Sequence, residues 1–212
     1  MKFSIRHQEN YSRGELLLRS FFGFLYIAIP HSIVLMFLGL GAAIISFIAF
    51  WAILFTGKYP KNMFDYMVKV SRWGMRVRAR LMNLSDGYPA FGMDAEDSNV
   101  VFDVPYPETV SRGLTLVRMF FGFFYVLIPH GICLLFMMIG AQFCVLIAWF
   151  VVLFTGKYPK GMHDYVVGVL RWANRVGIYM NNMTDTYPPF SGKETDPVNW
   201  NEAKKIEDHL VD

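Results

Sequence analysis

Two histidines, His31 and His130, stand inside long uncharged apolar stretches, each directly after a proline. An ionisable side chain in such surroundings is a functional candidate by default. Two imidazoles on equivalent helices could ligate a haem iron axially or hold a metal, since neutral imidazole is a common ligand. A structural reading competes with that one. Pro30 and Pro129 lack a backbone N–H, which frees a carbonyl one turn earlier, and an imidazole N–H can satisfy it. The structural reading is preferred, with haem or metal at His31 and His130 as the lesser option and no other cofactor expected.

The remaining chemistry is thin. Asp86 and Asp185, each two residues before a Tyr-Pro pair, resemble paired carboxylates, but aspartate before a proline turn commonly closes a helix end. Thr56-Gly57-Lys58-Tyr59 lacks the glycine spacing and the Ser or Thr after lysine that a phosphate loop requires. Cys133 and Cys144 are too few for a disulfide framework and read as small apolar core residues. No nucleophile elbow, metal-protease helix or dinucleotide fingerprint is present, so a non-enzymatic protein is expected.

The elements that must hold these residues are apolar. From Phe21 to Phe55, and from Met119 to Phe154, there is no Asp, Glu, Lys or Arg. Charged residues make up 17% of the chain, well under the roughly 25% of soluble domains. About 20 apolar residues suffice to cross the hydrocarbon core, so each run predicts membrane-spanning helix. The first twenty residues are polar, with no short apolar core before a cleavage site, so the N-terminus is expected to be retained.

The chain repeats itself. Ser12-Arg13-Gly14 recurs at Ser111, Phe21-Phe22-Gly23-Phe24 at Phe120, and Ile29-Pro30-His31 at Ile128. Phe55 to Lys61 recurs unchanged as Phe154 to Lys160, and Arg72-Trp73, Asp86 and Tyr88-Pro89 have counterparts at Arg171-Trp172, Asp185 and Tyr187-Pro188. Every pair is 99 residues apart, as Ser12 is from Ser111, and about half of the matched core is identical. The reading is a first membrane repeat at 1–92, an acidic junction with a short strand at 93–107, a second membrane repeat at 108–191 and a polar tail at 192–212. Lys2 to Ile5 and Val100 to Val104 alternate like strands and could pair across the pseudo-axis; a short helix is expected over Asn201 to Leu210.

These motifs resemble domain-of-unknown-function family 4389. The second copy fits best, with Tyr106-Pro107-Glu108, Ser111-Arg112 and Asp185-Thr186-Tyr187-Pro188-Pro189-Phe190. The first departs at both ends, with His7-Gln8-Glu9 at its start and Ala90 in place of the second proline. The resemblance implies a bacterial cytoplasmic-membrane protein and supplies no activity.

An uncharged run of about 35 residues makes a helix of roughly 50 Å, against a hydrocarbon core of about 30 Å. Two short spans fit better, broken near Gly39-Leu40-Gly41 and near Gly140. Basic residues flank both ends of each run: Arg13 and Arg19 with Lys58 and Lys61, then Arg112 and Arg118 with Lys157 and Lys160. The positive-inside rule puts both ends, and both termini, in the cytoplasm. The expected fold is an all-α, multi-pass membrane protein of two tandem parallel repeats. Each repeat is a transmembrane helical hairpin followed by a basic amphipathic interfacial helix, with one kinked span per copy as the competing topology. Small residues (Gly23, Gly39, Gly41, Ala42 and Ala43) would allow close helix contact.

The interfacial helix is predicted from a stripe of Lys61, Asp65, Lys69, Arg72, Arg76 and Arg80, repeated more sparsely by Lys160, Asp164, Arg171 and Arg175. With Trp73, Trp172, Lys58 and Lys157 it forms the expected surface for anionic lipid headgroups or a partner; a solvated face of a packed helix is the competing reading. The expected function is a non-catalytic scaffold or accessory subunit, bound to membrane lipids and to other membrane subunits or itself, without nucleic acid. The alternative is a lipid-handling or transport protein with a pathway at the repeat interface, centred on the Pro30-His31 and Pro129-His130 pairs.

Overall fold

Ser12 and Ser111 open the two long helices by accepting the N–H three residues on, from Glu15 and Leu114, at 3.3 Å each. The computed structural model describes residues 1–195 together with 197, 198 and 200. The helix expected over Asn201 to Leu210 lies outside the described residues. The order is β1 (Lys2–Ile5), α1 (Arg13–Gly23), a π-helical turn (Phe24–Ala28), α2 (Ile29–Thr56), α3 (Lys61–Leu81), β2 (Val100–Asp103), α4 (Arg112–Gly122), a second π-helical turn (Phe123–Leu127), α5 (Ile128–Thr155) and α6 (Lys160–Met180). The chain is mostly helical rather than all-α, because β1 and β2 form a two-stranded antiparallel sheet.

The expected hairpins are absent. Each uncharged run belongs to one helix, Arg13–Thr56 or Arg112–Thr155, with no turn near Gly39, Gly41 or Gly140. Gly41 and Gly140 serve close approach instead. A Cβ on Gly41 would stand 2.6 Å from the Tyr66 hydroxyl, and one on Gly140 2.7 Å from that of Tyr165. The missing side chains let Tyr66 reach the Leu38 carbonyl at 2.9 Å and Tyr165 the Met137 carbonyl at 3.2 Å. Gly39, by contrast, meets nothing. The helices end at Gly57 and Gly156, whose φ values of 73° and 72° are the left-handed conformation that stops a helix.

The second helix of each copy runs back along the first, as the contacts Tyr66–Leu38 and Trp73–His31 show. What the long helices bury is a single stripe, including Leu16, Ile27, His31, Ala49 and Ile53 in the first copy; the opposite arc exposes Phe21, Leu25, Met36, Leu40, Phe47 and Phe55. Both helices are long and apolar enough to cross a membrane. Cys133 lies on the exposed arc and Cys144 is half-buried, so Cys133 is not a core residue.

A two-fold pseudo-axis relates the copies. Phe3 pairs with Phe102, its own counterpart, and Asn174 donates to the sulfur of its counterpart Met75 at 3.2 Å. The copies also exchange ends. The Tyr11 N–H donates to the Gly156 carbonyl at 2.8 Å, and the Val110 N–H to that of Gly57 at 2.9 Å.

Candidate functional site

An α-helical ladder would carry the Tyr26 carbonyl to the N–H four residues on, but that residue is Pro30. The Tyr88 hydroxyl takes the carbonyl instead, at 3.3 Å. His31 lies beside it, fully buried, with Nε2 3.0 Å from the Tyr88 oxygen. From α3 the Trp73 indole N–H, which can only donate, reaches His31 Nδ1 at 2.8 Å. Nδ1 is therefore the acceptor, the ring proton sits on Nε2, and the order of donation is Trp73, His31, Tyr88, Tyr26 carbonyl. Phe91 closes the cluster at 4.9 Å between ring centroids.

The second copy repeats the arrangement except at His130 Nε2, which is buried without a hydrogen-bond partner among the described residues. Trp172 donates to His130 Nδ1 at 2.9 Å, the Tyr187 hydroxyl to the Tyr125 carbonyl at 2.9 Å, and Phe190 stacks on the imidazole at 3.9 Å. His31 is thus engaged at both ring nitrogens, and His130 at Nδ1 alone. Each histidine is also enclosed by residues of its own copy and not by the repeat interface, so the structure does not bring the Pro-His pairs together at the centre of an inter-copy pathway.

Below these clusters, Arg19 and Arg118 are buried clasps. Arg19 meets Asp86 at 2.7 Å, Glu15 at 3.0 Å and the Asn83 side-chain oxygen at 3.0 Å. Arg118 meets Asp185 at 2.9 Å and Asn182 at 3.0 Å, and lies 4.0 Å over the Tyr179 ring. Asp86 and Asp185 also accept the backbone N–H of Ser12 and Ser111, at 2.6 and 2.8 Å. Each aspartate therefore ties the end of the second helix to the start of the first.

The family described as a domain of unknown function (DUF4389) matches residues 16–92 and again residues 115–192. The chain belongs to the DUF4389 family. No curated protein and no solved structure matches it. Each matched segment holds one complete Trp-His-Tyr set and one arginine–aspartate pair, Arg19–Asp86 or Arg118–Asp185, whereas β1 and β2 fall outside both. The DUF4389 unit is thus a long helix, a returning helix and a closing Tyr-Pro segment.

Part of the basic stripe of this DUF4389 protein is buried rather than outward-facing. Arg76, Arg80, Arg171 and Arg175 are buried, as are Trp73 and Trp172. Arg76 donates to the Gly92 and Ala95 carbonyls, Arg80 pairs with Asp97 at 2.8 Å, and Arg175 reaches the Ser191 and Lys193 carbonyls at 3.0 and 2.8 Å. Arg171 holds the Phe3 carbonyl of β1 at 2.8 Å, as Arg72 holds the Phe102 carbonyl of β2 at 3.0 Å. Burial pushes the Arg76, Arg171 and Arg175 guanidiniums below their ordinary values, though all stay charged. The spacing marked a real helix face; the groups it meets are backbone carbonyls and junction aspartates. Lys58, Lys61, Lys157 and Lys160 are at least partly open to solvent, and Lys69 pairs with Asp94 at the surface.

One buried ionisable residue was not anticipated. His163, which replaces Phe64 of the first copy, packs at 5.1 Å from His7 and 5.7 Å from Tyr158, with Nε2 3.3 Å from the Leu84 carbonyl. Burial, reinforced by His7, pushes its pKa down to about 4. Its divergence from Phe64 was the available sign in the sequence.

Proposed function

We propose that this DUF4389 protein is a non-catalytic scaffold or accessory subunit of the bacterial cytoplasmic membrane. It holds its apolar arc in lipid and offers its lysine-bearing helix ends to anionic headgroups and to partner subunits on the cytoplasmic side. One observation carries this reading: among the described residues, most polar groups singled out from the sequence are spent on the fold. His31 is engaged at both ring nitrogens, and Asp86 and Asp185 are shared between an arginine and a helix N-terminus. The outward surface of the described residues includes a broad apolar arc and the exposed lysines Lys58, Lys61, Lys157 and Lys160.

Mass spectrometry of the protein purified in mild detergent at its natural level tests the proposal. Stoichiometric co-purifying proteins support the accessory role; a protein that runs alone with bound lipid counts against it. One feature favours lipid handling as the second reading. A cavity of about 340 Å³ opens between the copies, lined by Ser46, Phe50, Thr115, Arg118 and Asn181. At the equivalent position of the other copy Trp149 stands in place of Phe50 and donates to Ser20 at 2.7 Å.

A further inference from the structure

We infer that neither long helix crosses the bilayer: each begins and ends at the same membrane surface, and the apolar arc is seated among the acyl chains of one leaflet. The inference rests on the membrane association proposed above and follows from symmetry. The start of the first helix touches the end of the second, through Tyr11–Gly156 at 2.8 Å and Arg13 on the Phe154 carbonyl at 3.0 Å. The start of the second touches the end of the first, through Val110–Gly57 at 2.9 Å. A two-fold axis along the membrane normal keeps equivalent residues at equal depth, so Gly57 and Gly156 share one depth. Tyr11 and Val110, bonded to them, lie at that depth too. Each helix then starts and finishes at one level, and having no turn it cannot have crossed twice.

An axis in the membrane plane would allow a crossing but puts charge at mid-bilayer. The axis passes through the Phe3–Phe102 pair, and Lys2–Asp103 is the next pair along, only about 3.4 Å away in strand rise. The Asp103 side chain is 60% exposed and lies 3.5 Å from Arg72; that of Asp94, paired with Lys69, is 77% exposed. Exposed charges do not sit at the bilayer centre. Length agrees. The uncharged run from Phe21 to Phe55 makes about 52 Å of straight helix, and fitting that within a core of about 30 Å requires a tilt of about 55°, beyond the range of 0–40° for spanning helices. With both ends at one surface, Arg13, Lys58, Lys61, Arg112, Lys157 and Lys160 gather at the same headgroup layer, which suits anionic lipid.

The test uses the full chain with Cys133→Ser and Cys144→Ser and one new cysteine at a time. Glu9→Cys reports the start of the first helix, Lys58→Cys its end, and Leu40→Cys its middle, with Met36→Cys as a second reporter should Leu40→Cys fail to accumulate. A membrane-impermeant maleimide is applied to spheroplasts and to inside-out vesicles. The expected result is Glu9→Cys and Lys58→Cys labelled from one and the same side, with the middle position labelled from neither and quenched by lipid-borne nitroxide once it carries a fluorophore. Ends labelled from opposite sides overturn the inference, as does a middle position labelled from the far side. A middle position that escapes lipid quenching and cross-links to a second copy also overturns it, because the arc would then be a dimer face. Labelling reports depth alone, so a missing partner in the mass-spectrometric experiment leaves this inference standing. Release of the chain by alkaline carbonate would sink both.

Discussion

The Tyr187 hydroxyl donates to the Tyr125 carbonyl at 2.9 Å, the acceptor that Pro129 leaves without an N–H partner. A proline within a helix thus has its repair supplied 58 residues later by the closing Tyr-Pro motif, as Tyr187 is from Pro129. Tyr187→Phe and Tyr88→Phe should each remove that hydrogen bond and destabilise the protein by about 0.5–1.5 kcal/mol. Thermal melting in mild detergent measures this, and wild-type melting of both variants would refute the assignment.

Gly41→Ala places a methyl 2.6 Å from the Tyr66 hydroxyl and should destabilise by about 1–3 kcal/mol. Tyr66→Phe removes the clashing atom. The double variant should therefore melt above the sum of the single effects, a positive coupling readable from a double-mutant cycle. Strict additivity would mean that glycine is there for another reason.

How far the sequence exposed this architecture depended on whether a feature was local. The 99-residue repeat and the alternation in Lys2 to Ile5 and Val100 to Val104 were visible because both are patterns along the chain, and the two strands do pair. Gly39, Gly41 and Gly140 misled, since a glycine that breaks a helix and one that admits a tyrosine look alike until the tyrosine is placed. The arginine stripe misled for a related reason. Spacing of three and four residues fixes a helix face, but Arg76 and Arg175 find their carbonyls 16 residues on, at Gly92 and Ser191, which no periodicity announces. The Trp73–His31 bond spans 42 residues and was equally hidden.

His163 sets a pH dependence. Its folded pKa of about 4 lies below the ordinary 6.5, so the folded state binds fewer protons than the unfolded state between those values. The stability this contributes is complete above about pH 6.5 and is lost as pH falls towards 4, on the order of 3 kcal/mol in total. His163→Phe, the residue of the first copy, should flatten the fall in melting temperature between pH 6.5 and 4. Parallel curves for variant and wild type would exclude His163 as the source.

Buried and exposed basic residues should separate cleanly. Arg76→Ala strips donors from the Gly92 and Ala95 carbonyls and should destabilise by about 3 kcal/mol. Replacing Lys58, Lys61, Lys157 and Lys160 by Gln should change stability by no more than about 0.5 kcal/mol each. The same four changes should weaken binding to anionic vesicles by about 1 kcal/mol per lysine, in a salt-dependent way. Flotation with and without anionic lipid reads this out; equal flotation would remove headgroup attraction from the proposed function.

The strand exchange has a further consequence. Arg171 of the second copy holds β1 of the first, Arg72 of the first holds β2 of the second, and Tyr11 and Val110 trade carbonyl partners in the same way. Every such contact is made twice with the roles reversed, which is the isologous geometry of a homodimer. The junction at 93–107 turns what would be a bimolecular encounter into an intramolecular one, so the assembled fold does not depend on protein concentration. It also frees the two halves to diverge, as Phe64 and His163, or Phe50 and Trp149, already have, which two identical chains could not do.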